Sequence, residues 1–115
     1  MNVNFDQART KHMFFKTKVR GYLLGSDANA NAFQTYLSEL GDWVNNLVTQ
    51  YQLNTAEVME VNYLHNELTD KTNKLIKLRS GGQDDEAKAK FTEIESTGEK
   101  FLQTISSLEK QLSKS

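Results

Sequence analysis

His12 and His65 are the only histidines in the chain, and each falls on the apolar repeat of a helical pattern rather than on a charged face. An imidazole on such a stripe is withdrawn from water, so its ring nitrogens need partners: a metal ion, a hydroxyl or a carboxylate. Cysteine is absent, which excludes disulfides and thiolate metal sites. Zinc commonly takes three or four ligands from cysteine, histidine and carboxylates, so two imidazoles alone make a thin set. A catalytic triad would need one histidine to meet a serine across the fold, and no serine has a histidine close in sequence. The glycine-rich phosphate loop, the nucleophile elbow and the HExxH pattern are missing too. The chain is not expected to be an enzyme.

The elements that must position these residues are helices. Phe5, Ala8, His12, Phe15, Val19 and Tyr22 alternate steps of three and four, as do Val58, Val61, His65, Leu68, Thr72 and Leu75. The same rhythm links Phe33, Leu37, Leu40, Val44, Leu47 and Tyr51, and again Ala87, Phe91, Ile94, Gly98, Phe101, Ile105, Leu108 and Leu112. Gly25-Ser26-Asp27 and Gly81-Gly82 stop two of the helices, and Asn54 with Glu57 resembles a capping box. The pattern predicts helices over about 4–24, 29–52, 55–80 and 84–113, forming one all-α domain over 1–115, an antiparallel four-helix bundle. Gly98 stands on the fourth seam, where its cost of about 1 kcal/mol against alanine fits a close helix approach or a hinge, or equally a tolerated glycine with no role.

Composition agrees with that architecture. One domain fits 115 residues, there is no proline, and a quarter of the chain is charged. Arg9, Lys11, Lys16, Lys18 and Arg20 crowd the first helix, while Gly25 to Asp70 holds acidic residues and no Lys or Arg, a segregation that should guide helix pairing. The basic excess is too small for a nucleic-acid surface. No apolar run is long enough to cross a bilayer and the start carries no targeting pattern, so a cytoplasmic location without membrane insertion is expected.

Three stretches carry a resemblance to a known family. Phe5-Asp6-Gln7-Ala8, Lys11-His12, Phe15-Lys16 and Lys18-Val19-Arg20, closing at Gly25-Ser26, form the first. The others are Leu40-Gly41-Asp42-Trp43 and Leu64-His65-Asn66-Glu67-Leu68-Thr69. Together they resemble the chemoreceptor zinc-binding domain, a helical sensor module of bacterial methyl-accepting chemoreceptors and diguanylate cyclases. The resemblance implies four metal-ligand positions, His12, Ser38, His65 and Thr69, of which two are retained and two replaced. Serine and threonine hydroxyls are weak neutral donors. Asp42, one turn from Ser38, is the natural substitute ligand. The implied reading has no bound cofactor, or a weakly held zinc, around a polar layer of His12, His65, Ser38 and Thr69 inside the bundle.

Function follows from that resemblance as an expectation: a regulatory or sensory input module that signals by helix repacking to an output domain or receptor partner. Val19-Arg20-Gly21-Tyr22-Leu23-Leu24-Gly25-Ser26-Asp27, with Leu78 to Gly82 and Ser96 to Lys100, is similar to the extracytoplasmic four-helix sensor domains of chemoreceptors and histidine kinases, which would make the location periplasmic. The rival is a stand-alone interaction bundle or homodimer, with Met13, Phe14, Trp43 and Tyr51 as interface candidates, although Trp43 is expected to be at least half buried.

Overall fold

The computed structural model describes residues 4–25, 31–51 and 56–113. Among them four helices follow in order: α1 Phe5–Leu23, α2 Asn31–Tyr51, α3 Ala56–Ser80 and α4 Asp84–Ser113. No strand occurs among the described residues. Each helix packs on its neighbour in sequence, and α4 closes the ring against α1. The molecule measures 50 × 20 × 19 Å. A helix of the length of α4 spans about 45 Å, so the helices run along the long axis.

All six spaced residues of α1, Phe5 through Tyr22, are buried. Phe33, Leu37, Leu40, Val44 and Leu47 of α2 and Ala87 to Leu108 of α4 are buried as the spacing predicts, while Leu112 packs part-buried at the edge. The Tyr51 side chain lies outside the described residues. Contacts between α1 and α2 fix their direction: Phe5 meets Trp43 edge-on at 5.6 Å, and Phe15 meets Phe33 at 6.5 Å. Numbers rise on one helix as they fall on the other, so the pair is antiparallel. Lys71 with Thr97, and Glu57 with Gln111, give the same direction for α3 and α4. The fold is the all-α four-helix bundle that the periodicity predicts.

One seam position differs. In α3 the buried series is Val58, Val61, Leu64, Leu68, Thr72 and Leu75, and His65 is only half-buried. From Val61 a step of three reaches Leu64 and a step of four reaches His65, and both fit the repeat. Burying leucine is favourable whereas burying imidazole costs desolvation, so the leucine takes the interior and the ring flanks it. Thr72 stays inside because its hydroxyl donates to the Leu68 carbonyl at 2.6 Å.

The helix ends obey local chemistry. Gly25 and Gly82 have φ of 78°, the left-handed conformation in which glycine ends a helix without strain. Beyond α3 the Gln83 N–H closes back to the Leu78 carbonyl at 2.9 Å. Ser26, Asp27 and Asn54 lie outside the described residues, and Glu57 stands in the first turn of α3. At the start of α1, the Asn4 side chain accepts from the Gln7 N–H at 2.9 Å, and the Asn4 carbonyl accepts from Trp43 Nε1 at 3.0 Å. Trp43→Phe keeps an aromatic ring there but removes this inter-helix hydrogen bond, leaving the Asn4 carbonyl only the longer 3.4 Å bond from the Ala8 N–H. A loss of about 1 kcal/mol in urea unfolding followed by circular dichroism is expected.

The basic face of α1 finds its partners on both neighbours. Lys11 pairs with Glu39 of α2, while Arg9 pairs with Glu109 and Lys16 with Glu95 of α4. These pairs are part-exposed, so each contributes under about 1 kcal/mol and serves mainly to choose neighbours.

Candidate functional site: two imidazoles seated on glycines

His12 leaves the middle of α1 and lies across α4 at Gly98. A Cβ on Gly98 would stand 2.5 Å from Cε1 and 2.6 Å from Nε2 of the ring. Only a residue without a side chain admits the imidazole here, which is why glycine sits in mid-helix. The ring stacks on Phe101 at 6.0 Å and is tilted against Phe15 at 6.1 Å. It is 4% exposed, and its Nδ1 is buried without a hydrogen-bond partner among the described residues. Burial, with a smaller contribution from the Lys16 charge, pushes the His12 pKa down to about 4. The ring is therefore neutral at ordinary pH.

His65 repeats the arrangement on α3. A Cβ on Gly41 of α2 would lie 2.8 Å from its Nε2. Its Nδ1 is also buried and unpartnered among the described residues, and burial lowers its pKa. The ring is half-buried, so it has room to turn aside. Gly41→Ala is accordingly expected to change stability by less than about 1 kcal/mol, because displacement of the ring offsets the gain in helix propensity. Thermal unfolding of the variant checks this.

Each ring borders an open groove. The α1–α4 groove, about 730 Å³, is lined by His12 with Arg9, Met13, Lys16, Glu95, Glu99 and Leu102 among others. The α2–α3 groove, about 390 Å³, is lined by His65, Ser38, Gly41, Asp42, Thr69, Asn45 and Asn73 among others. In the ring of helices these grooves occupy opposite faces. The structure thus brings His65, Ser38, Asp42 and Thr69 to one groove and sets His12 in another. The single internal polar layer expected from the sequence is divided. Ser38 and Asp42 are exposed, and Thr69 is half-buried.

The hydroxyl partners expected for the imidazoles are engaged elsewhere or lie outside. Thr69 Oγ1 donates to the His65 backbone carbonyl at 3.1 Å, within its own helix. Among the described residues no three His, Asp or Glu side chains lie close enough together to hold a metal ion. A zinc centre needs its ligands converging at about 2.0–2.2 Å. The retained histidines line different grooves rather than converging on one point.

Gly41 as the seat for His65 does not follow from its place in the Leu40-Gly41-Asp42-Trp43 stretch. The available signal was a glycine inside an otherwise uninterrupted helix, the same signal that drew notice to Gly98. Trp43 is buried, as expected, and so is withdrawn from any interface. Met13 and Phe14 are exposed, and Phe14 leans on Tyr36 at 5.4 Å.

No family model matches the chain, and neither a curated protein nor a solved structure matches it. Among the described residues no helix is long and apolar enough to cross a membrane.

Proposed function

We propose that the chain is a regulatory input module of bacterial signal transduction, of the kind joined to chemoreceptors or diguanylate cyclases. It signals by repacking of its helices and has weakened or lost zinc binding. The observation that supports this most is the pair of imidazoles on opposite faces of the bundle, each against a glycine of a neighbouring helix and each with an unpartnered nitrogen. Polar rings placed on the seams in this way hold the packing with less margin than apolar side chains would. A module that must pass between two packings requires such marginal contacts.

The test joins the chain upstream of a diguanylate cyclase catalytic domain and compares wild type with His12→Leu. A change in cyclase rate of about twofold or more supports an input role. Equal rates from two folded proteins would reduce the chain to a passive bundle. Elemental analysis of protein purified without chelator tests the metal part of the reading, since one zinc per chain would overturn it.

A second reading, self-association, is supported by exposed Met13 and Phe14 on α1. Sedimentation at micromolar concentration separates it: a monomer with and without zinc removes both the obligate dimer and metal-driven assembly.

A further inference from the structure

We propose that His12 and His65 are retractable pins between two helical hairpins, α1–α2 and α3–α4, and that the hairpins, rather than single helices, are the bodies that move. This deepens the sensory reading and rests on it only for the use made of the motion; the motion itself is a property of the packing.

The hairpins are internally fastened. Aromatic pairs run along α1–α2, from Phe5 with Trp43 through Phe15 with Phe33 to Tyr22 with Phe33 at 5.3 Å. The α3–α4 pair is joined by the short 81–83 turn and makes the most extensive packing of any two helices. Between the hairpins, along α1–α4 and α2–α3, the contacts are sparser. Both imidazole seats lie on those two seams: His12 of the first hairpin rests on Gly98 of the second, and His65 of the second rests on Gly41 of the first. The pins are reciprocal.

Each ring has two places to be. Seated, it packs against glycine backbone and leaves Nδ1 without a partner. Turned out, His12 enters a groove bearing Glu95, Ser96 and Glu99, and His65 one bearing Ser38, Asp42 and Asn45, so the lost packing is exchanged for a hydrogen bond. With both rings seated, the hairpins are pinned at two points on opposite faces, beside the part-exposed Arg9–Glu109 and Lys16–Glu95 ion pairs of the α1–α4 seam. With one withdrawn, its seam can close or slide, and rigid hairpins carry the shift to the opposite seam. The two rings therefore leave their seats together.

Relaxation-dispersion NMR at neutral pH, without added metal, reads this directly. The His12 and His65 ring resonances and the Gly98 and Gly41 amides should show one shared microsecond-to-millisecond exchange rate, with a withdrawn state populated at roughly 1–10%. The signal of Phe33, inside one hairpin, should be silent, whereas that of Phe15, which packs on His12, should share the exchange. His12→Leu, which fills the seat with an apolar group that cannot gain a hydrogen bond outside, should reduce the exchange contribution at His65 by at least about threefold. Absence of exchange at the rings, two unrelated rates, or unchanged His65 exchange in a folded His12→Leu protein overturns the proposal. Should that variant not fold, the wild-type rates alone decide. None of these readouts depends on an output domain, so failure here and failure of the cyclase fusion are separate results.

Discussion

Gly98→Ala is expected to lower the unfolding free energy by about 1–2 kcal/mol, although the same change at an unobstructed helix position raises it by about 1 kcal/mol. The sign is reversed by one ring. The added methyl would meet His12 Cε1 at 2.5 Å, and the imidazole is held between Phe15 and Phe101. Either the ring gives up its seat or α1 and α4 separate, and packing is lost both ways. His12→Ala removes the obstruction at the cost of a cavity, and in that background Gly98→Ala should become stabilising by about 1 kcal/mol. Urea unfolding of the four proteins yields a coupling of about 2–3 kcal/mol. Additive effects would mean that the glycine is there for another reason.

The second large effect is on acid stability. In the unfolded chain His12 titrates near 6.5, and in the folded protein near 4. Between those values the unfolded chain holds the extra proton, so stability rises with pH. The contribution is present in full above about 6.5, falls as the solution is acidified, and is lost by about 4. The total at stake is about 3 kcal/mol. His65 acts in the same direction, since burial lowers its pKa as well. Unfolding free energies measured from about pH 7.5 down to about pH 4 should fall accordingly, and His12→Leu should flatten most of the slope. A slope unchanged in that variant would assign the acid sensitivity to His65 or to carboxylates.

These two effects lie where the sequence was only partly legible. Helix number, direction and three of the four seams could be read from spacing, because burying one apolar stripe per helix is what a bundle requires. The α3 seam could not be fixed at Leu64 against His65, since both fit the repeat and only side-chain chemistry separates them. His12 was legible as buried. That Gly98 is its seat was not, because periodicity within a helix says nothing about which residue of another helix lies opposite. Likewise Ser38, Asp42 and Thr69 share a groove with His65, but no local pattern shows that His12 faces away from them. Contacts across helices depend on axial rotation and register, which the full set of packed side chains decides together.

The clasp at the start of α1 has an optical consequence. Trp43 is the only tryptophan; it is buried, edge-on to Phe5, with its indole N–H on the Asn4 carbonyl. Its emission therefore reports one place, the end of the bundle where α1 begins beside α2. A red shift means that this clasp has released and water has reached the indole. In an acid titration, a shift that trails the loss of His12 packing would show α1 peeling from α4 while still held to α2. A simultaneous change would show the bundle opening as a whole. The protein carries its own probe for telling these apart, and needs no label.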